Sequence, residues 1–340
     1  MRLLITGGCG FIGSNYVQQV LDETDDVVVN LDKLTYAGNR LNLTQVEERH
    51  GGGRYHFVHG DIGDTELVRR VLEERRIEAV VNFAAETHVD RSIHDSAPFL
   101  NTNIMGAHNL LECARKAGIE RFVHVSTDEV YGSLEPGEPA FREDTPLAPN
   151  SPYSASKASA DLLCRSFFHT YGYPVVVTRC SNNYGPYQFP EKLIPLMYLK
   201  ASRNEPLPVY GDGRNVRDWI YVGDHCRGVD LALRKGRPGA VYNFGGAAER
   251  ANIDVVKAML NILGKGEELI RFVKDRPGHD RRYAMDFSLA ASELGFAPSL
   301  DFEEGLARTV SWYQDNAQWL AKVQDGSYRE FMDNWYGERT

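Results

Sequence analysis

Three glycines, Gly7, Gly10 and Gly13, stand as GxxGxxG between the apolar run Arg2–Thr6 and a helix-patterned segment, Gly13–Asp22. The first glycine permits a tight turn. The second lets the backbone approach a pyrophosphate, and the third lets the helix pack closely on the strand. The unpaired N–H groups and dipole of that helix then attract phosphates. An ordinary strand–helix turn also uses such glycines, so the context decides. Asp32 closes the next strand-like run, Val27–Asp32, where a carboxylate meets the adenosine ribose hydroxyls. That carboxylate repels a 2′-phosphate, so the pattern favours NAD over NADP.

The first half of the chain continues this alternation. Strand-like runs are expected at Tyr55–His59, Ala79–Asn82, Arg121–Ser126 and Pro174–Arg179, and helices at Thr65–Arg75, Asn103–Ala117 and Tyr153–Tyr171. Strand–helix alternation predicts βαβ units, hence an α/β fold of Rossmann type with a doubly wound parallel sheet. Near-continuous apolar strands such as Val27-Val28-Val29 suit burial on both faces. After Cys180 prolines and glycines cluster, from Gly185-Pro186 to Gly213, which reads as loop-rich chain suited to shaping a pocket. A helix at Val222–Leu233 and a strand at Ala240–Phe244 resemble the first half again. Two or three helices are expected from Ala251 to about Trp335. The expected division is a cofactor domain of 1–181 with about 217–246, and a smaller, interleaved substrate-binding region of 182–216 and about 247–335.

A net charge of −9 argues against a nucleic-acid or membrane-surface binder, which needs a basic face. The apolar runs are too short for a membrane span, and Met1 leads directly into a strand without a signal peptide, so a cytoplasmic location is expected. Cys9, Cys113, Cys164, Cys180 and Cys226 are scattered, without a CxxC pair. They indicate neither a metal site nor a disulfide framework, and read as small buried apolar residues.

Tyr153-Ser154-Ala155-Ser156-Lys157 is YxxxK at a helix start, and a spacing of four puts both side chains on one face. An ammonium near a phenol is expected to lower its pKa and make tyrosine a base near neutral pH. Ser126-Thr127 ends the preceding strand and offers hydroxyls to a substrate. Asp61-Ile62 and Phe83-Ala84-Ala85 end two other strands. Asp61 either meets the adenine or is a turn or N-cap residue before the helix after it, and the small residues allow close approach of a cofactor.

GxxGxxG, an acidic end to the second strand, Ser/Thr at the end of the fifth and YxxxK together resemble the extended short-chain dehydrogenase/reductase family. The resemblance covers nearly the whole chain. It implies hydride exchange between NAD and a sugar carbon, with Tyr153 as base and Lys157 also holding the nicotinamide ribose. It extends the cofactor set to Phe11, Ile12, Lys33, Leu34, Thr35, Thr87, Thr102 and Asn183. Cys9 departs from the commonest glycine-loop pattern, where alanine is frequent, but is small enough to fit.

Four longer segments resemble the nucleotide-sugar 4,6-dehydratases within that family. They are Ser126 to Gly132 (STDEVYG), Glu86 to Ser92 (ETHVDRS), Asn182 to Leu193 (NNYGPYQFPEKL) and Asp275 to Tyr283 (DRPGHDRRY). The resemblance implies a sequence of three events: oxidation at C4, loss of water across C5 and C6, and return of the hydride to C6. Once C4 is a ketone, the C5 proton is acidic. Glu129 is the implied base at C5 and Asp128 the implied acid for the departing C6 hydroxyl. A neutral Asp128 needs a raised pKa, which desolvation and the adjacent Glu129 charge both supply. The plain alternative for this pair is a solvated loop.

For the nucleotide sugar, the resemblance implies that Asn182, Lys192, Leu193 and Thr127 meet the substrate, with Lys192 among the cations that a diphosphate needs, and that Thr87 and His88 are sugar-side groups. Pro208, Val209 and Tyr210 frame the base, and Arg217 and Asn252 meet the phosphates or nucleoside. Asp275, Arg276, His279 and Tyr283 close on the diphosphate end. Thymidine is the favoured base, with uridine and cytidine as alternatives. A homodimer through Asn103–Ala117 and Tyr153–Tyr171 is also implied. A 4-epimerase or decarboxylase would share Tyr153, Lys157 and the cofactor site but would not need Asp128-Glu129. A non-catalytic NAD-sensing protein would need none of the four together.

Overall fold

The computed structural model describes residues 1–275 and 278–324. Its strands are β1 (Arg2–Thr6), β2 (Val27–Asp32), β3 (Tyr55–His59), β4 (Ala79–Asn82), β5 (Arg121–Thr127), β6 (Val175–Cys180), β7 (Asn182–Tyr184), β8 (Leu207–Tyr210), β9 (Val216–Tyr221), β10 (Val241–Phe244), β11 (Glu249–Ala251) and β12 (Ile270–Val273). Seven of them form a parallel sheet in the order β10-β6-β5-β4-β1-β2-β3. All residues of β4 and β6 are buried, which suits their alanine and valine runs, while Asn82, Thr178 and Arg179 stand toward the carboxyl ends. Helices Phe11–Glu23 and Val222–Lys235 pack Tyr16, Val17, Cys226 and Val229 onto one face with Leu3 and Ile5. Helices Thr65–Glu74, Ala107–Lys116 and Pro152–Tyr171 cover the other with Val68, Leu110 and Cys164. This is the doubly wound Rossmann-type fold.

The strand order reverses between β1 and β4. At such a switch point the loops leave in opposite directions and open a crevice at the carboxyl ends of the strands. The crevice is tight. Gly7 has φ +71°, and a Cβ there would lie 2.7 Å from the Ala84 nitrogen. A Cβ on Gly13 would lie 2.3 Å from the Gly7 carbonyl oxygen.

The chain after Cys180 is more regular than expected. β7 and β11 flank β9, β8 pairs with β12, and Leu193–Ser202 is a helix despite Pro195. Pro195 falls in its first turn, where the missing N–H has no intrahelical partner to lose. Helices Asn252–Ile262, Ser288–Leu294, Phe302–Asp315 and Ala317–Lys322 follow, more than the two or three anticipated. Leu196, Met197, Val256, Met259, Leu306 and Tyr313 form a separate core here. The helix expected at Asn103–Ala117 is regular only over Ala107–Lys116 and is preceded by wider π-type turns, Leu100–Gly106. Asn103 in those turns receives the Glu86 N–H at 2.9 Å and donates to the Glu86 carbonyl at 3.0 Å. It thereby ties this segment to the end of the β4 loop.

Gly13→Ala should cost about 2 kcal/mol, because backbone on both sides leaves no room for relaxation. It should also reduce the NAD content of the purified protein. Equilibrium unfolding and cofactor extraction measure the two, and wild-type values for both would contradict the close approach.

Candidate active site

The crevice carries a long cavity lined by Gly7, Gly10, Phe11, Ile12 and Gly13 at one end and by Thr127, Asp128, Glu129, Tyr153 and Lys157 at the other. Asp32, Lys33, Thr35, Asp61, Ile62, Phe83, Ala84, Ala85, Thr87, Thr102 and Asn183 line it between. Leu34 is the expected cofactor residue that does not. It has φ 54° and donates its N–H to Asp32 Oδ1 at 2.8 Å, so it shapes the turn instead. Asp32 Oδ2 receives the Cys9 N–H at 2.8 Å. Burial raises the Asp32 pKa against these two backbone hydrogen bonds. Asp61 does not cap the following helix, since Asp64 does so through the Leu67 N–H. It pairs instead with Lys33 at 2.7 Å. A glycine-lined groove, a helix start and a carboxylate at the end of β2 fit a dinucleotide.

Thr127 ends β5 and caps the short 3-10 turn Asp128–Tyr131. Its hydroxyl donates to Asp128 Oδ1 at 3.1 Å. Asp128 is 2% exposed, and its Oδ2 has no hydrogen-bond partner among the described residues. Desolvation first, then the Glu129 charge, push its pKa well above the usual carboxyl range. Glu129 Oε2 receives the Ser154 hydroxyl at 3.1 Å, so the carboxylate is held toward the Tyr153 helix. That helix is capped by Ser151 and opens with Pro152, which places Tyr153 and Lys157 in its first turns.

The tyrosine differs from expectation. Burial, then Glu129 and Cys180, raise the Tyr153 pKa well above 10, and only a hydrogen bond with Thr127 opposes them among the leading influences. Lys157 donates to the Val125 carbonyl at 2.8 Å. The anticipated lowering by Lys157 is not among the leading influences on Tyr153, which desolvation and then the neighbouring acidic groups dominate.

A second cavity adjoins the first and shares Glu129, Asn182, Glu191 and Lys192 with it. His88, Leu193, Pro208, Val209, Tyr210, Arg217, Asn252, His279 and Tyr283 line it. Lys192 reaches the Thr87 carbonyl at 3.1 Å. Arg217 is buried, donates to the Asp280 carbonyl at 2.9 Å and lies 4.3 Å from the Tyr283 ring centroid. His88 caps the helix Val89–His94 as well as lining the cavity. Thr87 and Thr127 line the first cavity rather than the second. Asp275 lines neither but meets His279 Nδ1 at 2.6 Å. Arg276 lies outside the described residues.

Glu191 was not singled out by the sequence, although it stands inside the segment Asn182–Leu193. It lines both cavities, accepts from the Tyr36 hydroxyl at 3.1 Å and lies 3.5 Å from Arg91 Nε. Burial raises its pKa to about 7. A carboxylate directly after Phe189-Pro190 and before Lys192 was the available signal.

Fold and cleft together define an extended short-chain dehydrogenase/reductase. A family model described as GDP-mannose 4,6 dehydratase matches residues 4–309. A dTDP-glucose 4,6-dehydratase of Xanthomonas campestris is 54% identical, over 96% of this chain and 97% of its own. The crystal structure of DesIV, a dTDP-glucose 4,6-dehydratase from Streptomyces venezuelae with NAD bound, aligns with TM-score 0.91. It is 50% identical over 95% of this chain and 100% of that one. A UDP-glucose 4-epimerase of Thermotoga maritima is more distant, 31% identical with TM-score 0.85 over 93% and 100% of the two chains. The chain belongs to the dTDP-glucose 4,6-dehydratase family.

The raised pKa of Asp128 has a consequence for stability. The folded state holds this proton at pH values where the unfolded chain has released it. Asp128 therefore costs stability increasingly as pH rises from the ordinary value of 3.8 toward its raised folded value. Asp128→Asn should melt above wild type, with a gain that grows with pH over that interval. Melting curves from pH 4 upward check this, and a gain that shrank with pH would contradict it.

Proposed function

We propose that this chain converts dTDP-glucose to dTDP-4-keto-6-deoxyglucose with NAD held in the groove over Gly7, Gly10 and Gly13. The observation that carries the reading is Asp128, buried and with its pKa pushed up by desolvation and the Glu129 charge, beside Glu129 in the same cavity as Tyr153 and Lys157. The full-length identity to dTDP-glucose 4,6-dehydratases supports the substrate. We read 1–181 with about 217–246 as the cofactor domain, and 182–216 with 247–335 as the nucleotide-sugar region. Support comes from the return of Val222–Lys235 and β10 to the main sheet.

Tyr153, in the same cavity as Thr127, takes the proton of the C4 hydroxyl. Bound NAD supplies the hydride acceptor for C4, the donor for C6 and, when oxidised, a cationic ring that favours the Tyr153 phenolate. With a carbonyl at C4, Glu129 removes the acidified C5 proton. Asp128 protonates the departing C6 hydroxyl, which leaves as water. Glu129 then returns a proton to C5. Lys157 holds the nicotinamide ribose, and Asp32 the adenosine ribose. Lys192, Arg217 and His279 orient the nucleoside diphosphate in the second cavity. An epimerase needs neither carboxyl, and its representative is the more distant neighbour.

We further place the protein in the cytoplasm as a homodimer. No described helix is long and apolar enough to cross a membrane, and all five cysteines are free and buried. Met105, Leu162 and Tyr171, on or beside the two helices expected to pair, are more than half exposed at 62%, 56% and 56%. Apolar side chains so placed suit a partner copy.

Incubation with dTDP-, UDP- and CDP-glucose, followed by the alkali-induced absorbance of the keto product, tests the function. The signal is expected with dTDP-glucose foremost, and its absence with all three defeats the reading. Glu129→Gln should lose C5 proton exchange by about a hundredfold or more while partly sparing C4 oxidation. Equal loss of both counts against Glu129 as the C5 base. Leu162→Glu should shift sedimentation toward the monomer, and an unshifted dimer would exclude this face.

A further inference from the structure

The turn with Asp128 and Glu129 and the helix with Tyr153 and Lys157 come from separate stretches of chain, yet both must face one sugar ring. Behind them lies a buried polar network that the chemistry above does not use. Asp161 stands one turn beyond Lys157 on the helix Pro152–Tyr171. Its Oδ2 accepts from Arg179 Nε at 2.8 Å, and the two side chains are 2% and 6% exposed. Arg179 Nη1 donates to the Tyr131 hydroxyl at 2.8 Å, with the guanidinium carbon 4.7 Å from the ring centroid. Tyr131 is the last residue of the turn that carries Asp128 and Glu129. Its hydroxyl donates to Asn243 Oδ1 at 2.8 Å, and its ring stacks on Phe141 with centroids 4.9 Å apart. On the sheet, Arg179 of β6 lies in register between Ser126 of β5 and Asn243 of β10. One guanidinium therefore bonds the helix through Asp161 and the turn through Tyr131.

A buried ion pair is a poor source of stability, since desolvating both charges offsets their attraction. Its value here is geometric. Arg179 presents a rigid fork with fixed donor directions, and each bond sets the distance from β6 to one catalytic element. Asp161 also opposes the desolvation that lowers the Lys157 pKa. Resting on the roles assigned to Asp128 and Glu129 above, we infer that Asp161, Arg179 and Tyr131 are positioning residues. They form a brace that holds the acid–base turn against the Tyr153 helix, so that the elimination finds its acid and base in place.

Tyr131→Phe keeps the ring on Phe141 and removes the hydroxyl that Arg179 grips. Arg179→Lys keeps the charge beside Asp161 but loses the fork. Rapid mixing of each holoenzyme with dTDP-glucose follows reduced cofactor and keto product separately, and melting temperature and NAD content report on folding. In Tyr131→Phe, product formation should slow about tenfold with C4 oxidation within about threefold of wild type, so reduced cofactor accumulates transiently. The double variant should be within about twofold of the slower single variant, as expected for groups acting through one contact. Product formation near the wild-type rate, equal slowing of both steps, or multiplied losses in the double variant would each overturn the brace. If Arg179→Lys does not fold, the step ratio in Tyr131→Phe decides alone. A wild-type protein that forms no keto product overturns the reading beneath the brace as well. An active wild type with an unaffected Tyr131→Phe overturns the brace only.

Discussion

Every group assigned to the chemistry leaves the sheet at one rim, and the reversal of strand order between β1 and β4 opens that rim. Gly7 follows β1, Asp32 ends β2, Phe83 follows β4, Thr127 ends β5 and Cys180 ends β6. A parallel sheet aligns all carboxyl ends, and the opposed loops leave a crevice that a dinucleotide spans. The tight backbone contact of Gly7 with Ala84 fixes the floor of the crevice. The remaining site geometry is referred to that floor: the glycine turn, Tyr153 and Lys157 line the cavity above it, and a second cavity adjoins through Glu129, Asn182, Glu191 and Lys192.

Burial then tunes the same rim in two directions. Desolvation and then the neighbouring Glu129 push the Asp128 pKa well above the usual carboxyl range, which suits an acid for a poor leaving group. The same conditions raise the Tyr153 phenol, which opposes its work as a base. The conflict makes physical sense if the cofactor's own charge belongs to the completed site. Electrostatics at this centre are then shared between protein and NAD, and Lys157 is held by the Val125 carbonyl.

Much of this was legible in the sequence because it rests on local rules. Strands inside a doubly covered sheet are rich in apolar residues, and β1, β2, β3 and β4 fall where Arg2–Thr6, Val27–Asp32, Tyr55–His59 and Ala79–Asn82 predict. GxxGxxG and YxxxK carry fixed spacings, and the residues they name do line one cavity. What failed depends on tertiary surroundings. Pro195 suggests a loop until its place in the first turn of a helix is known. Leu34 follows Asp32 in sequence, but with φ 54° it donates its N–H to Asp32 Oδ1 and does not line the cavity. Glu191 gains its importance from lying between two cavities that no local pattern reveals. The direction of the Tyr153 shift follows first from burial and then from which charges surround the phenol, and helix periodicity places only Lys157.

The central claim is that one closed cleft oxidises C4, eliminates water and reduces C6 on a single bound sugar. dTDP-glucose carrying deuterium at C4 tests it directly. The account predicts that the label reappears in the C6 methyl group of the same molecule, even when unlabelled substrate is present in excess. Label lost to solvent, or scattered onto unlabelled molecules, would contradict it.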